Sequence, residues 1–209
     1  IKMKVPQLKK KLEIKSCHNI EWEDNYSWIH QKNILEVLKD KSKLDSEVKK
    51  YLEEENTYSQ HHLKDTKDIQ KKLFDEIKGR IKLDDESLPY KDKNYEYWTK
   101  TTKEGNYFKK FRKKINDSKI ECYFDGDLEA KGKKFFSTGD LAVSYDDKLL
   151  AFSIDDKGGE YFTIFVRRIS DNKIIEKIEN TAGGVLWAYD DKSFFYRKHD
   201  SQKRPRKIF

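Results

Sequence analysis

The tetrapeptide Tyr145-Asp146-Asp147-Lys148 recurs 44 residues later as Tyr189-Asp190-Asp191-Lys192, each copy between a short apolar run and a run rich in Phe, Tyr and Leu. This reads as a repeated hairpin turn, and a period in the forties is what one four-stranded propeller blade occupies. A ring of blades closes only with about 4–8 copies. This chain of 209 residues ends while the copy that begins at Val185 is still being written. The expectation is part of a propeller.

The two-residue period holds from Pro89 onward. Tyr95 and Tyr97 alternate before a turn region at 101–105, and Tyr107, Phe108 and Phe111 resume strand character. Leu141 to Val143, Leu149 to Ile154, Phe162/Ile164/Val166 and Ile174/Ile178 give four strands separated by Asp-Asp and Gly158-Gly159 turns. They make one complete blade. Residues 89–125 make a looser one before it, and Val185 to Tyr196 begin the next.

Upstream the spacing is different. Pro6 opposes early helix, residues 1–30 read as extended, and Trp22, Tyr26 and Trp28 form an alternating strap whose simplest role is packing. From about residue 32 to 80 the pattern is helical. Ser46 is the expected N-cap of a helix carrying Val48, Tyr51, Leu52, Glu55 and Tyr58 on one face. A second helix follows on Ile69, Leu73, Phe74 and Ile77, with Gly79 as its stop signal. Nothing in the first 80 residues is large enough to cover both apolar faces, so these helices need a partner surface.

The predicted fold class is α+β, mainly β. An amino-terminal extended and helical segment over residues 1–85 precedes a partial β-propeller over 86–209, with blades near 89–130, 135–180 and 183–209.

Composition limits the function classes. Charged residues at 40% and a mean hydropathy of −1.02 lie near the disordered boundary, but 12 Tyr, 12 Phe and 4 Trp are too many for a disordered chain. Of the net charge of +7, residues 1–15 carry +5 and residues 197–209 another +5, which leaves the body, 16–196, at −3. An acidic body with basic tails has little electrostatic drive toward phosphate, so nucleic acid is disfavoured as a partner and the termini read as solvated. Cys17 and Cys122 have neither metal-ligand nor redox spacing, and no secretory leader precedes them; this points to a reducing, cytoplasmic setting. No apolar stretch approaches the ~20 residues that span a bilayer, so no membrane is expected.

A search for chemistry is negative. There is no G-x-S-x-G elbow, and His18, His30, His61, His62 and His199 do not fall into a triad order or into the i, i+4 spacing zinc prefers. Gly183-Gly184 precedes a strand rather than the helix a phosphate loop needs, and reads as a turn between blades. The run Phe108 to Lys114 interleaves aromatic and basic residues as single-strand binders do, without sorting them to opposite faces of a strand. The clusters Glu53-Glu54-Glu55 and Asp84-Asp85-Glu86 read as a solvated helix face and turn. No catalytic, cofactor or metal residue is assigned.

Several segments are nevertheless distinctive. Asp24-Asn25-Tyr26-Ser27-Trp28, Tyr51 to Asn56, Leu73 to Lys82 and Asp84 to Tyr90 resemble the amino-terminal region of the oligopeptidase B (protease II) branch of the prolyl oligopeptidase family of serine peptidases. Phe135 to Gly139, Leu141 to Ser144, Leu149 to Ser153 and Ile178 to Val185 resemble its first propeller blades, in the same order and register from about residue 5 to Pro205. The resemblance implies a helical segment that packs on a carboxy-terminal α/β-hydrolase domain, with a seven-bladed propeller capping the active site. It implies cleavage of short peptides after Arg or Lys by a Ser-Asp-His triad. No triad position has a match here, so the chain is expected to lack the hydrolase domain, to be inactive alone and to meet peptide substrates only in the complete enzyme. A separate polypeptide with the remaining blades and the hydrolase domain is the expected partner. The rival classes are a propeller-type interaction module and weak nucleic-acid binding through the basic termini. Where the family's blades turn through Ser-Pro-Asp-Gly, this chain has Ser144-Tyr145-Asp146-Asp147. Aspartate in place of glycine at a left-handed position costs about 1 kcal/mol.

Overall fold

The computed structural model describes residues 3–209 and is mainly β. The chain divides into two compact units, Ile1–Ile81 and Lys82–Phe209.

The first unit opens with a hairpin. β1 (Glu13–Cys17) pairs antiparallel with β2 (Ile20–Asp24), and Cys17 lies opposite Ile20. Its two turn residues, His18 and Asn19, both have positive φ (50° and 62°), the geometry whose twist matches the flanking strands. Residues 13–24 are therefore a paired hairpin and not a single extended strap. Of the three spaced aromatics only Trp28 is tied down, its indole N–H donating to the Lys9 carbonyl at 2.8 Å beneath the Lys11 ammonium. Trp22 and Tyr26 stay exposed.

Three helices follow: α1 (Ile34–Lys39), α2 (Ser46–Leu63) and α3 (Lys67–Gly79). The N-cap of α2 is Asp45, not Ser46. The Asp45 carboxylate accepts from the N–H groups of Glu47 (2.9 Å) and Val48 (3.1 Å), while Ser46 is already the first helical residue. Val48 is the buried residue of α2, Tyr51, Glu55 and Tyr58 are half-buried on the same face, and Leu52 is exposed. The face of α3 formed by Ile69, Leu73, Phe74 and Ile77 is about half exposed or more throughout.

The second unit holds two sheets. In the first, β5 (Tyr95–Thr101) pairs on one side with β3 (Asp85–Glu86) and β4 (Tyr90–Asp92), between which Pro89 lies, and on the other with β6 (Lys109–Lys114). β7 (Ile120–Asp125) follows, and its last residue, Asp125, caps the short helix α4 (Gly126–Ala130). The other sheet has the order β13-β12-β11-β10-β9-β8. It contains β8 (Ser137–Val143), β9 (Leu149–Asp155), β10 (Phe162–Arg168), β11 (Ile174–Trp187), β12 (Phe194–His199) and β13 (Pro205–Ile208).

β11 belongs to two blades. Its first half pairs with β10 and its second half with β12, the register shifting between Thr181 and Val185. The Gly183-Gly184 pair is therefore a bulge inside a continuous strand and not a turn. Gly183 has φ +85°, and a Cβ there would meet the Phe162 ring at 2.9 Å, so glycine is required on both grounds. Ser153 secures the bulge: its hydroxyl donates to the Gly183 carbonyl (2.6 Å) and accepts from the Asp140 N–H (2.9 Å).

The core lies between blades. Along β9, Leu150, Phe152 and Ile154 face the first blade, where they join Tyr97, Tyr123, Phe124 and Phe136. Ala151, on the opposite face, packs with Ile164, Val166, Val185 and Trp187 toward the third. A strand covered on both faces explains the unbroken apolar run at 149–152, where a half-exposed strand would alternate apolar with polar.

Candidate functional site

The Tyr-Asp-Asp-Lys turns lie at the junctions between successive blades. In the first copy, Asp147 has φ 63°, in the place where glycine would relieve the backbone. Its carboxylate reaches back to the first blade, accepting from the Tyr97 hydroxyl (3.2 Å) and the Asn94 amide (3.1 Å). Burial, and then the Asp147 charge, push the Tyr97 phenol well above its ordinary range. Asp146 folds the turn instead, accepting from the Ser144 hydroxyl (2.7 Å) and the Lys148 N–H (3.1 Å). Burial opposes its charge, but these donors hold its carboxyl below the usual value.

The second copy repeats the arrangement one blade on. Asp191 has φ 56°, and its carboxylate accepts from the backbone N–H of Tyr145 in the preceding turn. The Tyr145 and Tyr189 rings stack at 4.4 Å with 25° between planes. The Lys93 ammonium of the first blade lies 4.1 Å from the centroid of the Tyr145 ring. Three successive turns thus contribute a cation and two aromatic rings to one column.

Beside this column is a cleft of about 660 Å³ between the first and second blades, lined by Asn94, Tyr95, Arg112, Glu121, Lys148 and Arg168 among others. Its buried feature is Arg112, 4% exposed. The guanidinium stacks on the Tyr95 ring at 4.3 Å, donates from Nε to Glu121 (2.6 Å) and from Nη1 to the Asp147 carbonyl (2.7 Å). A second buried arginine, Arg167, ties the second blade to the first by donating to Glu129 and to the Tyr123 carbonyl while lying over Phe152. Two arginines at a domain core need such partners, because an unpaired buried guanidinium is costly.

The basic run, on a strand as expected, is consumed locally. Lys109 pairs with Asp125 (2.6 Å), Lys110 donates to Thr99 (2.8 Å), Lys113 pairs with Glu96 (3.3 Å), and Phe111 stacks on Trp98. Burial also pulls the Lys110 amine below its usual value. The histidines are dispersed: His61 and His62 contact each other edge to face on α2, and His199, at the end of β12, meets Tyr161. Among the described residues no group of three or more His, Cys, Asp or Glu side chains is placed to hold a metal. Cys17 and Cys122 are free. What the arrangement can do is hold blades in a fixed rotation about one another. The repeat pointed to these turns, but the arginines and the reach of Asp147 carried no signal of their own.

The family described as prolyl oligopeptidase, N-terminal β-propeller domain, matches residues 6–208. Dipeptidyl aminopeptidase BI of Pseudoxanthomonas mexicana is 28% identical over 93% of this chain and 28% of its own length. Protease 2 of Moraxella lacunata is 22% identical over 97% of this chain and 29% of its own. Oligopeptidase B from Leishmania major superposes with a TM-score of 0.85 at 26% identity, over 98% of this chain and 30% of that one. The chain therefore spans less than a third of the length of each of these relatives.

Proposed function

The chain belongs to the family of the prolyl oligopeptidase N-terminal β-propeller domain, and from that membership we propose that it is the propeller-side, amino-terminal portion of an oligopeptidase-B-like serine endopeptidase cleaving short peptides after Arg or Lys. One observation carries this reading: the match runs through both units and nearly the whole chain against about 30% of an oligopeptidase B. The chain's own part is structural. It begins a blade ring that caps an active site and restricts access by size, and without the triad it hydrolyses nothing by itself. The remaining blades and the hydrolase domain complete that cap, in a cytoplasmic setting where both thiols stay reduced.

The test combines this chain with the portion of Leishmania major oligopeptidase B beyond the matched region and measures hydrolysis of an Arg-aminoacyl reporter. The expected result is activity in the mixture and none in this chain alone. Activity of this chain alone, or a mixture that cleaves no faster than the second portion by itself, refutes the reading.

A further inference from the structure

The second unit contains one histidine, His199; His18, His30, His61 and His62 all precede Lys82. Imidazole is the side chain whose ordinary titration falls between about pH 5 and 8. In the same unit the aspartates with a displaced titration move down, away from neutrality, and the Tyr97 and Tyr123 phenols move up. His199 is therefore the side chain of this unit placed to change charge near neutral pH.

It lies where turns of two blades meet. His199 ends β12, opposite Pro205 of β13, and its ring meets the Tyr161 ring edge to face, centroids 5.2 Å apart and planes at 74°. Tyr161 immediately precedes β10 in the second blade. A second contact runs beside the first: Lys203 Nζ lies 3.1 Å from Glu160 Oε2 and 5.7 Å from the Tyr161 ring centroid. Together they join the β9–β10 turn to the β12–β13 turn.

The imidazole cannot take up a second proton cheaply. Its Nδ1 is shut off from solvent and has no hydrogen-bond partner among the described residues. In the neutral ring that nitrogen can remain a bare lone pair; in the imidazolium it becomes a donor without an acceptor, and a charge is added where water does not reach. Lys203 and Arg197 oppose that charge, while Glu160 and Asp200 favour it. Both acids are engaged elsewhere. Glu160 holds Lys203, and the Asp200 carboxylate accepts from the N–H groups of Gln202 (2.8 Å) and Arg204 (2.9 Å) and pairs with the Arg204 guanidinium at 3.4 Å. Burial first, and then Lys203, hold the imidazole below its ordinary value.

We propose that the His199–Tyr161 contact is a pH-operated latch between the second and third blades, closed while the imidazole is neutral and released by acid. Because the folded value lies below the unfolded one, the stabilisation is fully present above about pH 6.5 and is lost as pH falls from there through the folded value. The Tyr145–Tyr189 stack sits at the opposite end of β9 and does not titrate in this range. Acid thus loosens the two blades at one end and leaves them joined at the other. The latch stands whether or not the peptidase reading does.

Hydrogen exchange of the full chain, followed by mass spectrometry at about pH 7.5 and about pH 5 and corrected for intrinsic exchange, tests it. Protection at residues 156–162 and 198–205 is expected to drop about 5-fold or more at the lower pH, with residues 143–149 and 187–193 changing less than about 2-fold. His199→Phe keeps an aromatic ring against Tyr161 and removes the titration, so it is expected to abolish the drop. Circular dichroism verifies that it is folded; His199→Leu replaces it if it is not. Proton NMR is expected to show the His199 ring titrating below about pH 6.5. Protection independent of pH in the unsubstituted chain, a drop that persists without His199, or a His199 titration at or above the ordinary value overturns the proposal.

Discussion

Replacing Asp147 by glycine sets backbone strain against side-chain bonding at a single residue. Glycine removes the cost of φ 63°, worth about 1 kcal/mol. It also removes the carboxylate that accepts from Tyr97 and Asn94 at 3.2 and 3.1 Å. Hydrogen bonds to a charged acceptor are worth about 1.5–3 kcal/mol each, and at these distances the lower figure applies, about 3 kcal/mol in all. The net expectation is a loss of about 2 kcal/mol. Asp191→Gly has the same backbone gain but loses one bond, to the Tyr145 N–H, so its net cost is about 0.5 kcal/mol. Hydrogen exchange followed by mass spectrometry resolves the two on the central strand β9, buried on both faces. Amides of residues 150–154 should exchange about 30-fold faster in Asp147→Gly and only about 2-fold faster in Asp191→Gly. Slower exchange in Asp147→Gly, or equal changes in the two variants, would refute the claim that the first turn aspartate is retained for its grip on the neighbouring blade.

Gly183→Ala should cost at least about 2 kcal/mol, from the left-handed backbone and the 2.9 Å approach to Phe162, read as a lower urea midpoint; an unchanged midpoint contradicts the bulge assignment. Asp45→Ala should lower the stability of the helical unit by about 1 kcal/mol while Ser46→Ala changes it by less than about 0.5, measured by helical ellipticity against temperature; the reverse order would restore Ser46 as the cap. Alkaline pH should loosen the blades. Burial raises the Tyr97 and Tyr123 phenols above the unfolded value, so their stabilisation is fully present below about pH 10 and is lost as pH rises from there toward the folded values. Tyr97→Phe should flatten that loss in a pH series of unfolding midpoints, and an unaltered slope would count against it.

Much of the fold is legible because its signals are local. The apolar run at 149–152 could belong to a buried helix or a buried strand by periodicity alone, but Asp146-Asp147 before it and Asp155-Asp156 after it leave room only for a strand. The amphipathic spacing of α3, on Ile69, Leu73 and Ile77, is equally plain. The cap of α2 lies one residue before the expected one because Asp45 and Ser46 are both good capping residues, and only the backbone geometry (φ −52°, ψ 134°) selects the first. Gly183-Gly184 is ambiguous because a glycine pair marks a turn and a bulge alike, and the choice depends on pairing of the same strand to both β10 and β12.

The amino-acid sequence by itself determined the repeat, the change of period near Pro89 and the family, since each is carried by residues close together in the chain or by motifs in a fixed order. Tertiary structure alone decided what the repeat does. Asp146 and Asp147 are neighbours of identical chemistry, yet one bonds its own turn and the other bonds Tyr97, 50 residues away. That division follows from the rotation of one blade on the next, which brings a left-handed turn within reach of the preceding strand. It is a property of packed sheets, and no tetrapeptide encodes it.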